Sequence, residues 1–493
     1  MDINQLMLTL VIFLPLLGSL LVLFFPKDKI NWIKGFSLAV MLICLGIAIF
    51  LWTQFKSSVP GFQFEFDFQW IPSLGISYHI GIDGMSMLLV FLTALLGVVA
   101  CLASFTVKNR IKEYFSLYML LISGIIGVFV ALDLILFYVF WEVVLVPMYF
   151  LIGIWGGERK LYASIKFFLY TLIGSLFMLV AILAIYFQSG LGTFSITELM
   201  KNNSVFANWS LALPMFGAFF LAFAIKVPSF PFHTWLPDAH VEAPAPISVL
   251  LAGVLLKMGG YGLIRICIGI LPEASKWWAP IIGILGVIGI VYGAFCSLVQ
   301  KDLKKLVAYT SLNHMGFVLL AVAAYIMTGS QAALQGAVLV MFNHGITTGL
   351  LFLLVGYYYE RTHTRDIAKL PGMASIFPII SIMMIIASFA SIGLPATAGF
   401  VGEFLAMTGA YSANMWWALI SVIGLVVNAG VMLWMMQRVM FGVVLDEHFK
   451  QLKDATFREF AAATPLLGFI FFIGLYPGPI LTMITQTVTS LVK

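Results

Sequence analysis

Ala222–Gly260 reads AFAIKVPSFPFHTWLPDAHVEAPAPISVLLAGVLLKMGG, and two lysines in it decide what kind of protein this is. Lys226 ends one apolar run and is followed by Pro228, Pro231 and Pro237, so a helix there must break. Lys257 lies inside a second run, LLAGVLLKMGGYGL, eleven residues past Pro246. At about 1.5 Å per helical residue that is roughly 16 Å along the axis, near the middle of a hydrocarbon core about 30 Å thick. A charged side chain at that depth costs about 2.5–3.5 kcal/mol on insertion scales, so a chain that keeps one there has a use for it.

The remaining composition agrees with a lipid setting. Of 493 residues, 62% are hydrophobic and only 10% charged, with a mean hydropathy of +1.06. Soluble domains carry about 25% charged residues, so the composition excludes that class. The first apolar run, LMLTLVIFLPLLGSLLVLFF, is long enough to span and has no basic segment before it, so no cleavable signal peptide is expected. The net charge of +5 sits mostly in loops and reports topology rather than nucleic-acid binding. Cys44, Cys101, Cys267 and Cys296 are scattered through apolar runs without CxxC spacing, which predicts small buried hydrophobes, not disulfides, zinc or iron–sulfur ligation.

The pattern predicts an all-α polytopic membrane protein of about fourteen spans, near 6–26, 32–52, 86–105, 114–131, 133–155, 163–187, 211–232, 246–268, 279–299, 306–327, 331–358, 374–408, 413–441 and 460–488. Basic residues cluster after the odd-numbered spans: Lys27, Lys29 and Lys34; Lys108, Arg110 and Lys112; Arg159 and Lys160; Lys301, Lys304 and Lys305; Arg361, Arg365 and Lys369; Arg438, Lys450, Lys453 and Arg458. The other loops hold few, Arg265 being counted among them. The loops after the odd-numbered spans are therefore expected in the cytoplasm and both termini outside, in the periplasm of a cell with an inner membrane. GFQFEFDFQW at 61–70 alternates at period two and predicts a surface hairpin, and GVVLDEHFKQLKDATFRE at 442–459 predicts an interfacial helix.

Span 7 is interrupted by KVPSFPFHTWLP, and span 12 by FASIGLPATAGFVGEF, which carries Gly393, Pro395 and Gly399 before Glu403. Five spans apart, the two breaks enter the membrane from opposite sides. Residues about 114–268 and 279–441 then read as two inverted five-helix repeats of one membrane domain, each with a discontinuous helix, flanked by helices at 6–105 and 460–488. Such pairs are the best sequence pointer to an ion path.

The titratable residues follow that frame. Glu142 lies nine residues past Asp133, at mid-depth, and an ion pair with Lys226 is expected. His314 lies nine residues past Lys305, and His344 lies within span 11; with pKa values near neutrality, the two are expected to bridge Lys257 to Glu403. Lys166, a turn into its span, is expected to snorkel to the surface. His233, Asp238, His240 and Glu242 read as a solvated polar loop. The file Glu142, Lys226, Lys257, His314, His344 and Glu403 alternates acid, base and imidazole, as proton relay requires. No oxygen-rich cage for a metal, no GxGxxG after a strand and no Walker A sequence is present.

FWEVVLVPMY around Glu142, the Ala222–Gly262 stretch, SLNHMG at 311–316 and GFVGEF at 399–404 resemble the antiporter-like membrane subunits of respiratory NADH:quinone oxidoreductase. The likeness runs over nearly the whole chain. In that family the second broken helix ends in lysine or glutamate, and Glu403 groups this chain with the glutamate members. No long lateral helix is expected after the last span. The resemblance implies proton half-channels joined by a central hydrated axis. It makes Glu142 and Lys226 the first pair, Lys257 the central lysine and Glu403 the terminal group; His314 matches a family position, His344 less closely. It also implies that FMN, iron–sulfur clusters and quinone belong to partner subunits, with no cofactor in this chain. The partners implied are neighbouring antiporter-like subunits and membrane lipid, not nucleic acid. A subunit of a multisubunit cation/proton antiporter is the alternative, and a purely structural scaffold a third reading.

Overall fold

The computed structural model describes residues 2–491. Among these, twelve helices are long and apolar enough to cross a membrane, and two shorter apolar helices, Ala212–Lys226 and Pro378–Ile392, stand where spans 7 and 12 are predicted. The chain is a multi-pass membrane protein. Helices apolar on all sides belong in an interior. Ala245–Ile268 and Gln331–Thr362 are enclosed along the whole of their apolar windows, and Leu303–Thr328 nearly so. These three carry Lys257, His344 and His314, so the costly side chains ride on the most sheltered helices. By contrast Lys160–Ser189 and Met415–Met440 leave much of their apolar surface uncovered.

Lipid tails are as apolar as leucine, so helices in a membrane associate through close packing, which small residues permit. Gly253 and Gly345 make the central crossing. A Cβ on Gly345 would lie 2.7 Å from the Gly253 carbonyl oxygen, and one on Gly253 would meet Leu96 at 2.3 Å. The crossing is one turn from Lys257 and next to His344, so backbone approach there delivers the two side chains to each other.

Both predicted breaks occur. Helix Ala212–Lys226 ends at its lysine, and the chain passes through a cis Phe230–Pro231 bond before Trp235–Glu242 resumes as helix. The freed backbone groups find partners: the Trp235 indole donates to the Ile225 carbonyl at 2.9 Å, and Ser229 N–H to Ala224 at 2.7 Å. Helix Pro378–Ile392 stops at Gly393 (φ +78°), and Ala398–Ala413 continues beyond Pro395.

The predicted hairpin is present as β1 (Gln63–Ile71) paired antiparallel with β2 (Ile76–Ile82). Two expectations fail. Residues 442–459 form no interfacial α-helix: there is only a 3₁₀ turn at Glu447–Gln451 before a helix starts at Phe457. The polar groups of this stretch are used elsewhere. Arg361 takes the carbonyls of Lys453 and Asp454, and the Asp454 carboxylate accepts from Ile379 N–H at 2.7 Å. The last span, predicted as continuous over 460–488, is two helices, Phe457–Leu475 and Gly478–Leu491. Pro477 supplies no N–H and pushes Tyr476 out of helical backbone (ψ 66°).

Gly345→Leu forces branched carbons into the Gly253 crossing. Overpacking of this kind costs about 1–3 kcal/mol, so the thermal unfolding midpoint in detergent is expected to fall, with Gly430→Leu, which meets nothing within 4 Å, as the unaffected control. The hairpin carries a pH test. The Glu65 carboxylate accepts from His79 Nε2 at 2.7 Å, and that bond holds the Glu65 carboxyl below its usual range. A lowered carboxyl pKa stabilises the folded hairpin above the ordinary carboxylate value, and the benefit is lost as pH falls through the lowered one. Hairpin amide protection is thus expected to hold from neutrality to about pH 5 and to drop below roughly pH 4, with the drop flattened in Glu65→Gln, read by hydrogen exchange.

Candidate functional site

The three enclosed helices and the second broken helix converge on a row of polar side chains. Lys257 is fully buried. Its Nζ contacts His344 Nδ1 at 2.5 Å and donates to the Ala252 carbonyl. That carbonyl lies in a π-helical turn, Leu251–Leu255, and a second π-turn, Leu263–Ile268, follows Lys257. Wide turns of this kind free carbonyls from the ordinary ladder and concentrate at functional sites. His314, from Leu303–Thr328, pairs through Nδ1 with Glu403 Oε1 at 2.9 Å and through Nε2 with Ser391 Oγ at 3.0 Å. The two imidazole rings stand 5.6 Å apart, centre to centre.

A small cavity joins the row, lined by His314, Asn343, His344, Thr347, Ser391 and Glu403 among others, with room of about 10 Å³, roughly one water molecule. His344 Nε2, Asn343 Oδ1, Thr347 Oγ1 and Thr348 Oγ1 are buried here without a protein partner. Buried polar atoms are almost always hydrogen-bonded. This wall of unpaired donors and acceptors therefore suits water or a shuttling proton, not a dry core.

The break beside Glu403 is what makes room for it. A Cβ on Gly393 would lie 2.8 Å from Glu403 Oε2. Two asparagines hold the loose ends: Asn428 donates to Ser391 O at 3.1 Å, and Asn343 donates to Ala398 O. Irregular backbone at membrane depth survives only where side chains or a wet cavity satisfy it, and both do so here.

Lys226 and Glu142 do not form the expected ion pair. Lys226 Nζ and Glu142 Oε1 are both buried and unpartnered. The ammonium instead lies over the rings of Trp141 and Phe167, at 5.3 and 5.4 Å. Trp141 and Glu142 are neighbours on one helix, about 100° apart in azimuth, and Lys226 lies against the tryptophan ring without a hydrogen bond to the carboxylate. Desolvated cation–π contacts are worth about 2 kcal/mol, enough to compete for the lysine.

Three of the four residues read as a solvated loop are buried, and Asp238 is partly so. His240 is fully buried, stacked on Phe352 at 4.3 Å with both ring nitrogens unpartnered, and His233 and Glu242 are buried as well. The segment Trp235–Glu242 is the resumed half of the broken helix, folded back against neighbouring helices. Lys166, partly exposed, pairs with Asp238 at 2.8 Å, and that carboxylate is shared with the exposed Arg159 at 3.1 Å. Two cations assigned to loops are also inside. Lys304 lies on the inner face of its first turn and donates to the Ala243 carbonyl, beside a cleft lined by Glu242, Pro244 and Arg365. Arg265 is paired with Asp83. Arg265 has a sequence signal: LIRICIGIL is apolar on either side of it, and GIDGMS offers it an acid.

The architecture is that of an antiporter-like membrane subunit, with broken helices that bring titratable groups to mid-depth. A family described as NADH:quinone oxidoreductase/Mrp antiporter, transmembrane, matches residues 131–428. NADH-quinone oxidoreductase subunit M of Rickettsia conorii is 40% identical over 97% of this chain and 97% of its own length. A chain of respiratory complex I from Thermus thermophilus, solved with bound NADH, superposes with a TM-score of 0.87 at 30% identity, covering 99% of this chain and 100% of that one. A chain of the Mrp complex from Dietzia sp. DQ12-45-1b also reaches 0.87, covering 100% and 98%, but at 20% identity, a likeness of fold alone. The chain belongs to the NADH:quinone oxidoreductase/Mrp antiporter family of membrane subunits.

His314→Phe removes the partner of a buried carboxyl and of the Ser391 hydroxyl. Each bond left unmade costs about 1–3 kcal/mol, so this variant is expected to unfold at a lower temperature in detergent than His314→Gln, which keeps a donor.

Proposed function

We propose that the chain is a proton-translocating membrane subunit of an NADH:quinone oxidoreductase in a cell's inner membrane, coupling electron transfer in partner subunits to proton pumping. The observation that carries this reading is the unbroken sequence of contacts Lys257–His344, then the cavity, then His314–Glu403. Each member binds and releases a proton without a change of fold. A proton on Lys257 passes to His344 Nδ1, crosses the cavity by the unpaired hydroxyl and amide groups, reaches His314 and leaves through Glu403.

Glu142 and Lys226 act upstream, as the charge switch. Unpaired with each other in this structure, they are free to change protonation: a rotamer change that swings Lys226 off the rings brings it to the carboxylate. Withdrawing that cation into a pair removes its repulsion from Lys257, and restoring it pushes positive charge along the row. In a medium of low dielectric such forces reach well beyond contact distance. The two breaks, at Val227–Thr234 and Gly393–Thr397, support inverted repeats at about 114–268 and 279–441. FMN, iron–sulfur clusters and quinone belong to partner subunits on this reading, and both termini face the periplasm. The antiporter alternative has support from fold likeness alone, whereas the 40% identical relatives are named as oxidoreductase subunits.

In the assembled complex in proteoliposomes, Lys226→Ala, Glu142→Ala and His344→Ala are each expected to abolish most NADH-driven acidification of the lumen while the complex still assembles. Normal pumping in all three would sink the relay.

A further inference from the structure

The two ends of the Lys257 helix differ. Its N-terminal end opens near the polar cleft lined by Glu242, Ala243, Lys304 and Arg365. At its other end, eight residues beyond Lys257, Arg265 is buried and ion-paired with Asp83. The ring of Phe62, from the start of the hairpin, lies 4.7 Å from the guanidinium, and that of Tyr261 lies 5.4 Å away. The Asp83 carboxylate is fully engaged, its Oδ1 accepting from Ser86 N–H at 2.9 Å and its Oδ2 from Arg265. Ser86 Oγ meets the Tyr261 hydroxyl at 3.3 Å, and Gly84 N–H donates to Thr487 Oγ1 at 2.9 Å, which draws the last helix over the same spot.

We infer that the Asp83–Arg265 pair is a seal, closing the hairpin end of the Lys257 helix to protons so that Lys257 exchanges them only from the cleft end and sideways with His344. A guanidinium does not give up its proton, so Arg265 cannot pass one on. A fixed cation in a narrow dry passage repels an arriving proton, as pore-lining arginines do in channels that exclude protons. The paired carboxylate keeps that cation affordable in the interior without offering a free oxygen to protonate. Phe62 and Tyr261 cover the guanidinium faces and keep water from bypassing it. A pair that merely pinned the helix would have no advantage over apolar side chains of the same volume, which are often as stable or more so. One-sided access is what a pump needs at this point. A lysine open to both sides of the membrane would let the gradient run down through the chain that builds it.

The inference rests on the proton-relay reading for its purpose, but its test does not. The complex containing this chain is reconstituted with a pH-sensitive dye in the lumen, and proton flux is driven by a potassium potential with no NADH present. Asp83→Asn with Arg265→Met removes both charges together and leaves neither stranded. That double variant is expected to raise passive flux several-fold and to lower the steady pH gradient under NADH, with NADH:quinone turnover unchanged; the charge-swapped Asp83→Arg, Arg265→Asp variant is expected to restore part of the seal. Passive flux equal to the wild type in the double variant overturns the inference, as does reduced assembly with the assembled fraction still tight. If the double variant does not assemble at all, Phe62→Ala decides: it strips the cover and leaves the pair, so a raised flux supports the seal and an unchanged one overturns it. A failure of the relay itself shows instead as normal NADH-driven pumping in the Lys226 and His344 variants, whatever the leak.

Discussion

Everything in this structure answers to the cost of keeping an ammonium group in the middle of a membrane. Lys257 is fully buried, and its polar contacts are an imidazole and a backbone carbonyl, not a carboxylate. Its compensation comes from a carbonyl released by a π-turn and from the imidazole of His344. Neither compensates as an opposite charge would. The close Gly253–Gly345 crossing is what keeps His344 within contact of the lysine. Replace that crossing with ordinary leucine packing and the helices separate by a side-chain width, leaving the ammonium stranded.

The broken helices serve the same end by different means. At the first, helix Ala212–Lys226 ends on its lysine, and Trp235 and Ser229 take up the carbonyls that the prolines expose. At the second, the absence of a side chain at Gly393 makes space for the Glu403 carboxylate, and Asn343 and Asn428 tie down the ends. Backbone polar groups that a continuous helix would consume are thereby offered to side chains at mid-depth. The geometry explains why ionisable residues gather at these two places: only there does the membrane interior have polar backbone to spare.

The charges were harder to place than the apolar residues. Lys166, Lys304 and Arg265 each lie within a turn or two of where a loop was expected, and charge in a loop is the ordinary case. All three are instead bound by a group from a distant part of the chain: Asp238, the Ala243 carbonyl and Asp83. His240 was equally opaque, because its shelter is Phe352, more than a hundred residues away. Conversely, depth alone points to a Glu142–Lys226 pair, and in the structure the lysine lies over the ring of Trp141, the residue next to Glu142, without an ion pair.

The sequence by itself determined that this is a polytopic membrane protein, where most of its helices run, and that the helices around Lys226 and Glu403 break. These follow from hydropathy, proline chemistry and the rise of a helix, all local quantities. Only the tertiary structure decided which titratable residues meet: that His344 touches Lys257, that His314 holds Glu403, that Lys226 lies over the rings of Trp141 and Phe167, and that Arg265 lies inside. Depth along a helix is read from counting residues. Azimuth around it depends on how neighbouring helices pack, and a proton path is a matter of azimuth, since two groups at one depth on opposite faces never exchange anything.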